Sequence, residues 1–341
     1  MKTEITKRID YIDIAKGIGM ILVVLGHMAI GDKASYLIFS FHMPFFFLID
    51  GLFCKEYKLF SEENRAFIKK TLIRLILPYI FTCIFIILFS IILNLLKQDF
   101  LQILPDVKKR LLASIYGQGW VNNDKFPMIG AIWFLLALFW GKVIFSFFSK
   151  SKYCFPIVVL LFAIGYISSK YIYLPLSIQS GLTSIIFIWA GKKIKELDIL
   201  SKDFLLVFII ALELWISMLF LKGGSISICS NYFEAIPANI ISGVCGSIVL
   251  ILLSKKIESF KITRILKYIG KYSLIFLCLH IIDLTLFPWS FIMKHITTEN
   301  DLFNLGILFI MKMLMYFCGC FIILHTPLRK IYANAPLSKE R

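Results

Sequence analysis

The side chains best suited to chemistry lie near the start of the chain. They fall in RIDYIDIAKGIGMILVVLGH, from Arg8 to His27, and FHMPFFFLIDGLF, from Phe41 to Phe53. Imidazole titrates near neutral pH without help, which is what a general base needs. A histidine set in hydrocarbon is costly and marks a functional site by default. If the first stretch is helical, the eleven steps from Lys16 to His27 return to within roughly 20° of one face, about 16 Å apart along the axis. Asp13 falls about 40° from His27 by the same count. One face then carries an acid, a base, an apolar wall and a histidine. That order suits a base working at a distance from a cationic mouth. It equally suits a histidine packed between helices, and spacing alone does not choose.

Six more polar groups interrupt apolar runs: His42, Asp50, Glu213, His280, Asp283 and Lys312. Each costs about 2–3 kcal/mol in hydrocarbon unless paired or wet, so together they imply an internal polar cavity. His42 precedes Pro44, which frees a backbone carbonyl and kinks its helix. The histidine there either lines the cavity or faces the membrane interface, and Asp50 is eight residues further on. Phe45, Phe46 and Phe47 read as lipid-facing and packing surface. His280 and Asp283 are three residues apart on one face, which suits a structural pair better than a second catalytic dyad, although an acid could orient a histidine so. Glu213 and Lys312 are expected to neutralise each other across two spans. Lys69, Lys70 and Arg74 read as topology charge or as a phosphate-binding patch. Trp133 is at home in an aromatic belt, and Ser273 as a helix cap.

These residues must be positioned by membrane helices. Of 341 residues 59% are hydrophobic and 17% charged, and the mean hydropathy is +0.83. A soluble domain carries about a quarter charged residues. Ten spans of roughly twenty residues follow from hydropathy, near 11–30, 36–54, 75–96, 128–148, 154–170, 174–191, 203–221, 235–253, 272–292 and 302–324. The sixth is the weakest. With the N-terminus inside, inner segments hold 27 of the 37 Lys and Arg, an asymmetry that sets orientation. The expected fold is an all-α bundle of about ten transmembrane helices, N-in and C-in, over 8–325. A short cytoplasmic tail follows over 326–341, with no soluble domain. Residues 97–127 form the one long outer loop, whose first half suits an amphipathic surface helix with Leu101, Leu104, Val107, Leu111 and Leu112 on one side.

The net charge of +16 is therefore topology charge, and no nucleic-acid partner is expected. A secondary role in drawing a phosphorylated donor to the inner face fits the same charge. The eight cysteines are scattered, and Cys229 alone falls in an outer loop, where it cannot close a disulfide. Cys318-Gly-Cys320 lacks metal-site spacing, so no metal site is expected.

Jointly, several motifs resemble the acyltransferase-3 family of integral-membrane O-acyltransferases, in its sugar O-acetylase-like branch. They are Asp13-x-x-Lys16-Gly17 with His27 in span one, and Phe41-His42-Met43-Pro44-x-Phe46-Phe47 with Gly51 in span two. Arg74 with Pro78 and Tyr79, Trp133-Phe134-Leu135, and Gly270, Ser273 and His280 complete them. The resemblance implies a ten-helix bundle in the bacterial inner membrane. It implies acetyl-CoA as acyl donor, no permanently bound cofactor, and a carbohydrate acceptor, free or lipid-linked. His27 becomes the catalytic residue, as base or transient acyl carrier. Asp13, Lys16, His42, Arg74, Trp133 and His280 become substrate- or donor-binding residues, with Asp50, Glu213 and Asp283 further cavity candidates. The sequence departs from the family at Lys16, where Arg is commoner, at Asp50, where a small polar residue is usual, and at Leu274 and Leu277, where one branch has tyrosines. A transporter or flippase for a lipid-linked saccharide is the alternative, sharing the spans and the intramembrane charges. A non-catalytic assembly partner is a third class, against which the intact His27, Lys16 and Arg74 argue.

Overall fold

In an apolar chain the backbone amides find partners only in one another, and helices meet that need within a single segment. The computed structural model describes residues 8–333, apart from 29, 59, 121–125, 225, 295 and 297–299. It is all-α but for one two-stranded ribbon. The helices are α1 (Asp10–Gly26), α2 (Asp32–Phe39), α3 (His42–Leu52), α4 (Glu62–Leu96), α5 (Phe100–Tyr116), α6 (Trp133–Phe148), α7 (Cys154–Ser168), α8 (Ile178–Glu196), α9 (Phe204–Phe220), α10 (Ile236–Ile257), α11 (Thr263–Lys271), α12 (Ser273–Leu286), α13 (Trp289–Lys294), α14 (Asp301–His325) and α15 (Arg329–Tyr332). Strands β1 (Ile226–Ser227) and β2 (Tyr232–Phe233) pair antiparallel, with Ile226 opposite Phe233.

Each of the ten expected spans falls on an apolar helix, counting α2 with α3 as one. By length and composition, four helical segments among the described residues suffice to cross a membrane: Asp32–Leu52, Glu62–Leu96, Ile236–Ile257 and Asp301–His325. The pair α11 and α12, bent by 80°, is a fifth if taken as one span. Three departures from the hydropathy reading bear on the site. The first helix stops at Gly26, leaving His27 as its C-cap rather than a mid-span residue. The turn closes through bonds from His27 N to Val24 O and from Met28 N to Leu25 O, with the Phe39 ring packed on Gly26. The second span is broken at Ser40 and Phe41, four residues before Pro44, as a missing proline donor requires. The ninth is preceded by α11, which the basic composition of 255–271 conceals. Ser273 opens α12 but makes no side-chain cap bond.

The weakest span in the sequence, α8, is a largely enclosed helix, with Gln179, Ser180, Thr183, Ser184 and Lys192 buried along with its apolar side chains. Its polar groups depress hydropathy because they serve other helices and loops. Thr183 donates to Asn231 Oδ1 at 2.7 Å, and Gln179 Nε2 to Ile172 O at 3.0 Å. α8 packs against α3, α6, α7 and α10. The long loop does contain the amphipathic helix α5, with Leu101, Leu104 and Leu111 exposed and Val107 and Leu112 half-buried. Tyr79 of α4 ties α5 down by donating to Ser114 O at 2.6 Å. Beyond 325, α15 packs back: Tyr332 is buried, its hydroxyl 3.0 Å from Thr82 Oγ1. Residues 334–341 of the expected tail lie outside the described residues.

Two glycine crossings bring backbones into contact. A Cβ on Gly270 would lie 1.7 Å from Asp13 O, and one on Gly17 2.1 Å from Leu266 O, so α11 lies directly on α1. Likewise a Cβ on Gly51 would lie 2.0 Å from Ile188 O and one on Gly191 2.0 Å from Leu48 O, joining α3 to α8. Backbone cannot swing aside as a side-chain tip can, so Gly270→Ala is expected to destabilise by about 3 kcal/mol, the upper end of overpacking costs. Gly306→Ala, where a Cβ meets nothing within 4 Å, should be neutral or slightly stabilising. Thermal unfolding of both variants in detergent checks the contrast, and equal melting temperatures would refute it.

Candidate active site

One cavity of about 1870 Å³ runs through the bundle. Helix α1 presents a continuous face to it: Ile12, Asp13, Lys16, Met20 and Val23 line it, with Arg8 ahead of the helix and His27 at its C-cap. From Asp13 to His27 these recur every three or four residues, the spacing of a single helix face. The acid, base, apolar wall and histidine of the sequence reading therefore lie along the cavity wall.

At the Lys16 end the lining is charged. Six cations contribute, Arg8, Lys16, Lys55, Lys70, Arg74 and Lys142, against the acids Asp13, Asp50 and Glu63. Asp13 is buried and held by Arg8 at 3.1 Å. Lys16 lies over the Phe53 ring, 5.9 Å from its centroid, a contact that stabilises a cation without neutralising it. Asp50 of α3 forms an ion pair with Lys142 of α6. That pair accounts for an acid at a position where a small polar residue is usual: it offsets a lysine on the facing helix. Four of the cations have no ion-pair partner among the described residues, Lys16, Lys55, Lys70 and Arg74.

At the His27 end the lining changes character. Asp32, Ser35 and Tyr36 of α2, Trp120, and Ser227, Ser230 and Tyr232 of the β ribbon contribute hydroxyls, aromatic rings and a single acid. Between the ends the wall is apolar, with Phe46, Phe134, Leu135, Leu274 and Leu277. His27 is exposed and lines this space. Its ring stacks on that of His280, centroids 5.1 Å apart and planes 22° apart.

His280 is buried behind His27, at 1% exposure. Its Nδ1 lies 3.0 Å from the Tyr316 hydroxyl, which in turn donates to Asp283 Oδ2 at 2.5 Å. The acid three residues from His280 thus reaches it through a tyrosine on α14, not directly. The sequence reading missed Tyr316, although its spacing of four from Lys312 puts both on one helix face. It also missed Lys142 as the partner of Asp50.

Other expectations need correction. Lys312 pairs with Asp283 at 2.6 Å and not with Glu213. Glu213 is exposed on the outer side of α9, away from the cavity lining. Asp283 is buried behind the cavity and does not line it. Trp133 is no membrane-belt residue: at 5% exposure it lines the cavity, its ring against Gly119. His42 does not face the interface. It is buried at the start of α3, lines the cavity and donates through Nδ1 to Ile38 O at 2.9 Å, filling an acceptor at the helix break. Phe45 and Phe47 are fully buried and Phe46 lines the cavity, so this aromatic run faces inward rather than toward lipid.

Chemically, the arrangement can draw an anionic molecule to one end, admit a hydroxyl-bearing one at the other, and bring both to an imidazole. Among the described residues no three His, Cys, Asp or Glu side chains gather as metal ligands. No curated protein and no solved structure matches the chain. The family model of the acyltransferase domain, acyltransferase-3, matches residues 9–325. That match takes in both ends of the cavity and every helix from α1 to α14, and the protein belongs to this family of membrane acyltransferases.

Proposed function

We propose that this protein is an O-acyltransferase of the bacterial inner membrane. It moves an acyl group, by preference acetyl, from acyl-CoA to a hydroxyl of a cell-surface carbohydrate such as capsule, lipopolysaccharide or exopolysaccharide. The observation that carries this reading is the position of His27. It stands where one continuous cavity passes from a cation-lined end to a hydroxyl-lined end. A phosphorylated donor with a slender thioester arm suits the first end, where Lys70 and Arg74 supply unpaired charge for phosphate oxygens. The apolar wall between Lys16 and His27 suits the arm, and the serine- and aromatic-bearing end suits a sugar.

In this mechanism His27 takes the proton of the acceptor hydroxyl as that oxygen attacks the thioester carbonyl. The new C–O bond forms, the C–S bond breaks, and His27 returns the proton to the departing thiolate. Both substrates reach His27 from opposite ends of the cavity, so a ternary complex can form and no acyl-histidine carrier is required. Family membership favours this reading over a flippase, which needs no donor site.

His27→Ala should leave folded, membrane-inserted protein with transfer reduced by about 10²–10⁴-fold, the usual worth of a general base. Mass analysis of the surface glycan from a deletion strain carrying the variant reads this out, and full acylation would sink the proposal. Arg74→Met should raise the KM for acetyl-CoA by about tenfold with kcat little changed, because a charge–phosphate contact is made equally in ground and transition states. A fall in kcat at unchanged KM would count against phosphate binding there.

A further inference from the structure

Behind His27 lies a series of buried polar groups that the acyl transfer above does not use. Asp283 is wholly buried, and three donors occupy its carboxylate. Trp289 Nε1 donates to Oδ1, while Lys312 at 2.6 Å and the Tyr316 hydroxyl at 2.5 Å donate to Oδ2. Lys312, itself 4% exposed, balances the acid's charge. An ionised carboxylate can only accept, so the single Tyr316 proton is committed to Asp283. The tyrosine oxygen must therefore accept from His280 Nδ1, 3.0 Å away. His280 then carries its proton on Nδ1 and a lone pair on Nε2. That Nε2 is buried and has no hydrogen-bond partner in the protein. The ring bearing it is the one on which His27 stacks.

Burying an acceptor without a partner is destabilising, and a buried ion pair seldom stabilises more than well-packed apolar residues do. A bundle selected only for packing would place leucine or phenylalanine at these positions. We infer that Asp283, Tyr316 and His280 are positioning residues for His27, an inference that rests on the general-base reading. Tyr316 fixes the tautomer of His280, as an acid-oriented histidine is fixed in other sites. His280 fixes the plane of the His27 ring at the cavity wall. The neutral His280 ring lies against the imidazolium that forms when His27 takes the acceptor's proton. That proton passes from hydroxyl to His27 to thiolate; His280, Tyr316 and Asp283 exchange none.

Tyr316→Phe removes one oxygen and keeps the ring, so His280 loses the acceptor that sets its tautomer. His280→Asn keeps a donor for Tyr316 and removes the stacked ring. The test uses the full chain in lipid nanodiscs, acetyl-CoA as donor, glycan from the deletion strain as acceptor, and thiol release as readout. Each variant that folds should show kcat lowered by at least about tenfold with the KM for acetyl-CoA within about twofold. Wild-type kcat in either folded variant overturns the inference. So does a loss in which KM rises in step and the melting temperature falls, the pattern of a merely structural role. Absence of acceptor-dependent thiol release from the wild type instead overturns the acyltransferase reading of the site, and the inference with it.

Discussion

An ionised side chain inside an apolar bundle needs either a counter-charge or water, and this constraint sorts nearly every polar residue in the chain. Asp283 and Lys312, both deep in the protein, satisfy it with each other. Asp50 satisfies it with Lys142 across the cation-lined end of the cavity. Asp13 satisfies it with Arg8. Glu213 is the exception: it lies on the exposed, apolar side of α9 and has no ion-pair partner among the described residues. Among the described residues, the polar groups left over at the cavity include His27, the buried Nε2 of His280 behind it, and the cations Lys16, Lys55, Lys70 and Arg74. On the proposed reading, function concentrates where the balancing is left incomplete, since paired groups have little free energy left to offer a ligand.

That sorting was only partly legible in the sequence. Hydropathy places the helices because the cost of an unpaired backbone amide in hydrocarbon is large and local. The face of α1 was legible for the same reason: the geometry from Asp13 to His27 is set within one helix. Partner identity was not legible. Lys312 and Glu213 looked like counter-ions because both sit mid-span, yet pairing depends on which helices adjoin, and the acid facing Lys312 is on α12. Trp133 read as belt because its place along the sequence lies near a membrane surface. Its burial follows from Gly119, where the absence of a side chain makes room for the indole. α11 was hidden because its basic, weakly apolar residues look like a loop until α1 packs on them.

The glycine crossings explain how a cavity of this size persists. A large internal space forfeits dispersion contacts along its walls, and the loss must be offset where the helices do meet. With Gly270 against Asp13 O and Gly17 against Leu266 O, α1 and α11 approach as closely as backbones allow. Gly51 and Gly191 do the same for α3 and α8. Both crossings fall on the helices that carry the site: α1 holds Lys16 and is capped by His27, and α3 holds His42 and Asp50. Small residues at helix contacts are how membrane bundles gain packing energy without a hydrophobic driving force. Here they also fix the two cavity walls relative to the rest of the bundle.

Because Lys16 lies in α1 and His27 caps that helix, the backbone separation of about 16 Å between them is set by helix rise and not by how helices pack. Small shifts among neighbours leave it unchanged, so α1 acts as a ruler between the cationic end and the imidazole. A donor must then present its reactive atom at a fixed distance beyond its charged group. On the proposed reading, that requirement selects a long thioester carrier over a compact acyl phosphate, whose carbonyl would stop at the cations. The ruler has one adjustable end. His27 caps the helix and is not within it, so its ring is not held by the preceding turn. Something outside α1 must orient it, and the ring that lies against it is His280, anchored through Tyr316 to α14. The distance from charge to base is thus a property of one helix, and the orientation of the base a property of two others.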